Sequence, residues 1–526
     1  MLLKNRFSKI VFFILILGLT PVWYYSIKTP FRLIDDYGHW IYIYTDFFEQ
    51  FINWLTYFGK GRFRPVFEIG SGLYWTLFGP YAEIHHLMRI VLKVLTLPPI
   101  WLACRSIGQD QSNSAATGSI SLKETAFPVF VLLFSIYFYF PNVPEARLAP
   151  QETASMFCMS WLIYFAVTIR HSRWRIDYLA ATFLVLLYCW SKEINLFPVA
   201  VIAIYLSYKL FRILGPRAII LCIPQWLIII HLAAKIYAAS HAGYGYTPIT
   251  FTLIIRNIFS LATNLFLYKN TLIWVFIFFL PTLGSFAYFI NFIKKNNLKI
   301  FAKCYLDYLL LWTVLGANFI GYLFVWKPSL RYSYPLFISM VIVWLASVLL
   351  VINNSKLIFR KFLLYFLPVV ALWFAGINYS SLAEQFFCQY TAGKSEEHLF
   401  EQINKEINQG KKVGIYINSE WDHRIALYFS IFRNQFYHEP LEQITVFYNE
   451  NKDFQKVDLM VSRKGNGRMI APIEPPKFRK TVKAITRVFR LGRKDEYFIT
   501  DWGATPIDYF PWYLNEPDDP DNSRLK

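Results

Sequence analysis

Acidic side chains are scarce: the 526-residue chain has 34 Asp and Glu against 53 Lys and Arg, and charged residues make up only 17% of it. A soluble protein carries about a quarter charged residues, so a fold exposed to water on all sides is excluded. Cysteine is sparse as well, at six. Cys104, Cys158, Cys189, Cys222 and Cys304 fall in or beside apolar runs, which leaves only Cys388 outside them. That placement excludes a disulfide framework and offers no zinc-ligand spacing. Glycine-rich phosphate loops and internal repeats are lacking too. No small-residue cleavage site follows the apolar stretch 11–19, because 19–23 reads LTPVW. The N-terminal run is therefore expected to remain as an uncleaved anchor rather than a signal peptide.

What the chain has in excess is hydrocarbon. It is 56% hydrophobic and 19% aromatic, with a mean hydropathy of +0.34. Apolar runs of about 17 to 25 residues, long enough to cross ~30 Å of hydrocarbon as helix, recur as far as Phe374 and stop after Ser380. About eleven spans are expected, at 9–27, 84–104, 125–141, 153–169, 176–190, 194–211, 218–238, 271–293, 305–325, 334–352 and 362–380. The expected fold is an all-α polytopic membrane protein with interfacial helices in its outer loops, followed by a small C-terminal α/β soluble domain. The domains are expected at 1–380, 381–510 and, as a flexible Pro- and Asp-rich tail, 511–526.

Basic residues gather in every second connection, as in Lys4/Arg6/Lys9, Arg105/Lys123, Arg170/Arg173/Arg175, Lys209/Arg212/Arg217, Lys294/Lys295/Lys299/Lys303 and Lys356/Arg360/Lys361. The positive-inside rule puts those connections and the N-terminus in the cytoplasm and the C-terminal domain outside. The net charge of +19 belongs wholly to the membrane part, since 381–526 carries about 21 basic and about 21 acidic groups. A nucleic-acid partner is therefore not expected. Of about 13 acids before residue 381, about nine fall on the expected outer side: Asp35, Asp36, Asp46, Glu49, Glu68, Glu83, Glu145, Glu152 and Glu193. Selection of Lys and Arg for inner loops explains part of this bias.

Two outer segments have helical apolar spacing suited to lying in the interface, 45–58 and, less regularly, 250–267. In the tail, 398–408 and 421–434 read as helices, and 412–417, 444–448 and 457–461 as strands.

Polar clusters end the spans on the outer side: Asp35-Asp36 with His39, GRFRP at 61–65, EARLAPQE at 145–152, Lys192-Glu193, and KPSLRYSYP at 327–335. An ionisable group costs about 2.5–3.5 kcal/mol at mid-membrane, so such clusters point to a shared water-filled cavity. Carboxylates that take a proton, beside Arg and Lys that hold an anion, suit attack by a hydroxyl on a phosphate-activated group. Simpler readings stand beside this one. Asp35-Asp36 suits a helix N-cap, and His39 and His85-His86 suit polar packing because no third metal ligand has the right spacing. Arg62 and Arg64 suit snorkelling to headgroups, and Lys192-Glu193 a neutralised turn pair.

The order of these pieces resembles the polyprenyl-phosphate-dependent integral membrane glycosyltransferases of the GT-C superfamily, which include protein mannosyltransferases and aminoarabinose transferases. The resemblance covers most of 1–350. It rests on Asp35-Asp36, GRFRPV at 61–66, LFGP at 77–80 leading into His85-His86-Leu87, Ser191-Lys192-Glu193, and RYSYP at 331–335. It implies a hexosyl or pentosyl transferase in the cell envelope, with a polyprenyl-phosphate-linked sugar as donor and a lipid, glycan or protein acceptor, embedded among membrane lipids. Asp36 or Asp35 would be the general base. Arg331, Arg147, Arg62, Arg64 and Lys192 would bind the substrate phosphate, supported by Glu145, Glu152, Glu193, Tyr332 and His39. The resemblance requires no cofactor, but leaves open a divalent metal on Asp35, Asp36 and Glu145. The alternatives weighed are a transporter or lipid flippase, which usually shows repeated halves with broken spans, and an O-antigen polymerase or ligase, which needs a large late outer loop. The tail fits no family pattern.

Overall fold

The computed structural model describes residues 2–30, 77, 81–112, 122–140, 151–169, 173–241, 250–266, 280–296, 305–323, 334–354, 357–417, 445–448, 458–462, 468–470, 476–489 and 512–515. Helices dominate. In chain order they are α1 (Leu2–Ile27), α2 (Ala82–Ser112), α3 (Leu122–Phe138), α4 (Gln151–Thr168), α5 (Trp174–Ser191), α6 (Leu196–Leu214), α7 (Ala218–His241), α8 (Phe251–Phe266), α9 (Leu280–Asn296), α10 (Leu306–Leu323), α11 (Tyr334–Asn354), α12 (Leu357–Asn408) and α13 (Phe478–Phe489).

Among the described residues, six helical stretches are long and apolar enough to cross a membrane: Arg6–Ile27, Ala82–Ile107, Leu196–Ala238, Leu306–Leu323, Pro335–Ile352 and Tyr365–Asn408. Ala126–Phe138 and Thr153–Thr168 are shorter apolar helices. The third stretch holds both α6 and α7, parted by a 3-10 turn at Gly215–Arg217. Gly215 there has φ +61°, a left-handed conformation that ends α6 and that glycine adopts without steric cost.

The bundle is organised round α11, whose apolar side chains are buried on every side, with Trp344 among the largest wholly enclosed groups. A helix apolar all round belongs at the centre of a bundle, and α11 touches α2, α3, α4, α9 and α10. α1 is peripheral. Val11, Leu15, Leu19 and Val22 face the core, while Ile10, Phe13, Ile14 and Leu17 are exposed hydrocarbon, as a lipid-facing helix requires. The expected interfacial segment at 250–267 is α8, whose N-terminus is capped by Thr250 Oγ1 accepting from the Leu253 N–H at 3.2 Å. Its Asn257 donates to the Leu323 carbonyl at 2.7 Å, satisfying an end carbonyl of α10, while Phe251, Ile258 and Phe259 point outward. The expected helix at 45–58 lies outside the described residues.

At the C-terminal end the structure departs from expectation in three places. α12 runs unbroken through position 380, where the apolar run ends. Loss of hydrophobicity is not loss of helix propensity, and Leu382, Ala383, Glu384 and Gln385 sustain the helix. It stops at Gly410 (φ +82°), whose N–H donates to the Ile407 carbonyl at 2.9 Å. A five-stranded sheet follows, made of β1 (Val413–Ile417), β2 (Thr445–Tyr448), β3 (Leu459–Ser462), β4 (Arg468–Ile470) and β5 (Trp512–Asn515), in the order β2-β1-β3-β5-β4. β1 pairs in parallel with β2 and β3, and β5 pairs antiparallel with β3 and β4. Residues 512–515, expected in the flexible tail, are thus an interior strand. The aromatic pair Trp512-Tyr513 favours pairing more strongly than the neighbouring Pro and Asp oppose it. The expected helix at 421–434 lies outside the described residues, and α13 was not expected.

Candidate functional site

The heights at which the helices end create the site. Tyr139, just past α3, donates to the Leu15 carbonyl of α1 at 2.5 Å, and Tyr379 of α12 donates to the Gly18 carbonyl at 2.7 Å. Trp23 packs edge-on against Phe138, with ring centres 5.8 Å apart, and the Tyr137 hydroxyl reaches the Lys93 carbonyl of α2 at 3.3 Å. So α3 ends beside Lys93, while its neighbours continue past it. α1 extends to Lys28, whose ammonium pairs with Glu83 at 2.8 Å, and α2 rises about 16 Å from Lys93 to Ala82.

Other helix ends join this level. Phe140 stacks on Phe337 near the start of α11, with centres 3.6 Å apart. Asn318 of α10 donates to Ser339 Oγ of α11 at 2.7 Å and touches Met159 Sδ of α4 at 3.5 Å. Ser155 of α4 and Ser191 of α5 share a hydrogen bond of 2.8 Å. Asn195, in the 3-10 turn Glu193–Asn195, donates to both serines, at 3.1 and 3.0 Å, and to the Tyr188 carbonyl at 2.8 Å. Gly321 leaves room for the same turn, since a Cβ there would lie 2.9 Å from Ile194 Cγ1. The ends of α3, α5 and α10 and the starts of α4, α6 and α11 therefore form a floor, with the first turns of α2 and the last of α1 standing above it.

That floor and wall carry buried charge. His85, His86, Arg89 and Lys93 lie on successive turns of one face of α2, each no more than 9% exposed. Arg89 Nη2 is 3.5 Å from His86 Nδ1. The Lys93 ammonium lies 5.6 and 5.5 Å from the ring centres of Tyr137 and Phe138, a geometry that attracts a cation. Lys192 is buried at the end of α5, beside the Ser155–Ser191–Asn195 network, and Thr153 is buried at the start of α4. Concentrating cations and imidazoles in an apolar bundle is costly. Arg and Lys heads so placed can stabilise an anion by charge-assisted hydrogen bonds.

Of the residues expected from sequence, Lys192 sits in this floor. Glu152 and Glu193 have described backbone, in α4 and in the 3-10 turn. Asp35, Asp36, His39, Arg62, Arg64, Glu145, Arg147, Arg331 and Tyr332 lie outside the described residues. Their connections leave and re-enter the bundle at Pro30, Tyr81, Phe140, Gln151, Leu323 and Tyr334, all at this end. Among the described residues no three His, Cys, Asp or Glu side chains gather as a metal set. Sequence reasoning missed Arg89 and Lys93. The available signal was their spacing, four and eight residues from His85 and three and seven from His86, which puts all four on one face of a span. Comparison with protein-family models and with curated proteins finds no match to this chain.

Proposed function

We propose that this chain is an inverting, multi-pass glycosyltransferase of the GT-C kind. It moves a sugar from a polyprenyl-phosphate carrier to an acceptor hydroxyl or amine on the outer face of a bacterial inner membrane. The observation that carries the reading is the buried file of His85, His86, Arg89 and Lys93 on α2, with Lys192 buried at the end of α5, at the bundle end where the connections bearing Asp35, Asp36, Arg147 and Arg331 attach. The carrier phosphate leaves as an anion, and charge-assisted hydrogen bonds from Arg and Lys stabilise it. A carboxylate of the first connection takes the acceptor's proton as the acceptor attacks sugar C1. In this reading about eleven spans place the N-terminus inside and the C-terminal α/β unit outside. A reporter fused after Asn408 is expected to read as external, and a cytoplasmic signal there would overturn the orientation.

The direct test supplies the protein in vesicles with polyprenyl-phosphate-linked sugars and follows release of the free carrier, alongside mass spectrometry of cell-surface glycans with and without the protein. Loss of one sugar from the glycans, together with carrier release, supports transfer. Movement of intact carrier-linked sugar across the bilayer without cleavage would instead establish the flippase reading. Lys93→Met should insert normally, because an apolar chain suits its surroundings. It should raise the donor KM about ten- to a hundredfold, as expected for losing ~1.5–3 kcal/mol from one charge-assisted hydrogen bond.

A further inference from the structure

α13 joins the C-terminal sheet to the bundle in a particular direction. The Phe489 ring lies on Gly376 of α12, the Ser380 N–H donates to Thr486 Oγ1 at 2.9 Å, and Arg479 Nε pairs with Glu384 Oε2 at 2.8 Å. Phe478 meets Phe387 edge-on, with ring centres 6.4 Å apart. α13 therefore runs antiparallel to α12, with its C-terminal end at Gly376 and its N-terminal end at Phe387.

The same stretch of α12 is tied to α1. Tyr379 bonds the Gly18 carbonyl, and Tyr25 packs on Phe387 with centres 5.1 Å apart. Gly18 to Tyr25 is the C-terminal half of an apolar stretch, Arg6–Ile27, long enough to span a membrane. α13 thus lies alongside hydrocarbon depth, with its Phe489 end sunk about 16 Å below its Phe478 end.

The face of α13 turned from α12 matches that depth. Lys477 and Lys480, at the shallow end, are exposed. Towards the sunk end the exposed residues are Ala484, Ile485 and Val488, with Val488 at 74%. Arg487 is also exposed there, on a stem long enough for its head to reach upward. Large apolar side chains are exposed only in the sunk half, while cations line the whole helix at Lys477, Lys480, half-buried Lys483 and Arg487, the make-up of an amphipathic helix at a bilayer boundary. We propose that α13 is embedded in the boundary of the bilayer at the C-terminal end of α1. Ile485 and Val488 lie against acyl chains, and Lys477 and Lys480 lie at phospholipid phosphates, so that the sheet is held on the membrane surface. The proposal requires that the chain spans a membrane and is independent of the transferase reading.

The test uses the full-length protein carrying Cys388→Ser, reconstituted in phosphatidylcholine–phosphatidylglycerol vesicles, with a nitroxide label at Val488→Cys, Lys480→Cys or, on exposed Met469 of β4, Met469→Cys. Collision with dissolved oxygen and with a water-soluble nickel chelate measures depth. The Val488 label should favour oxygen and meet the chelate several-fold less often than the Met469 label, with Lys480 between them. A Val488 label as open to the chelate as Met469 would overturn the proposal. So would a label immobilised and shielded from both probes, which would mean that a protein partner or a second copy covers this face. Native-like thermal unfolding of each labelled variant keeps misfolding distinguishable from either result.

Discussion

Asp36→Asn is expected to cut sugar transfer by about 10²- to 10⁴-fold, the usual contribution of a positioned general base, while the protein inserts and folds normally. Asparagine keeps the size and hydrogen-bonding edge of aspartate but cannot take a proton. The loss should therefore fall on kcat, with the donor KM nearly unchanged. Connectivity supports choosing this carboxylate. Thr29, at the end of α1, is fixed by its hydroxyl donating to the Tyr25 carbonyl at 2.7 Å and its N–H donating to the Ser26 carbonyl at 3.2 Å. Asp36 follows seven residues later. Asp35→Asn is the paired measurement. Whichever variant shows the loss identifies the base, and full activity in both would refute the assignment while leaving the Lys93 result to stand or fall by itself.

The second large effect concerns stability and reverses sign with background. Alanine for glycine inside a helix ordinarily gains about 0.8–1 kcal/mol. At Gly376 the Phe489 ring occupies the place of a Cβ, and forcing atoms into such a contact costs about 1–3 kcal/mol. Gly376→Ala should therefore lower the midpoint of thermal unfolding and open the segment around α13 to protease. In a Phe489→Ala background the clash is gone, and the same substitution should raise the midpoint. The coupling between the two sites, read from the four proteins of the cycle, should exceed about 1 kcal/mol. Additive effects would show that α13 does not rest on α12 as described.

The apolar helices were legible because hydrocarbon length is a one-dimensional signal. α11 and α1 read alike in sequence although one is buried all round and the other exposes hydrocarbon on one side, since a bundle interior and a bilayer favour the same residues. Where the apolar signal ended, reading became less secure. The far half of α12 is held by helix propensity and packing, and α13 alternates charge with hydrocarbon over a single short stretch. β5 joins β3 across some fifty residues of chain, a pairing that no local pattern announces. In the site, Lys192 drew notice because it stood in a polar cluster at a span end. Arg89 and Lys93 did not, because they lie inside a segment whose hydropathy hides the polar face of α2. The network of Ser155, Ser191 and Asn195 joins three helices through residues common in any sequence, and only the fold brings them together.

An unbroken α12 also sets a phase. Each residue of an α-helix turns the chain by about 100° and advances it by 1.5 Å. The sheet begins at Val413, a few residues past the end of α12 at Asn408, so its bearing around the bundle axis is fixed by the number of residues between Tyr379, bonded to Gly18, and Asn408. One residue more or fewer in that interval would swing β1 to a different side of the molecule, while α13 stayed matched to the old one. Exposed positions along this rod can vary with little consequence, but its length is locked, as the tooth count of a gear is locked by the wheel it must mesh with.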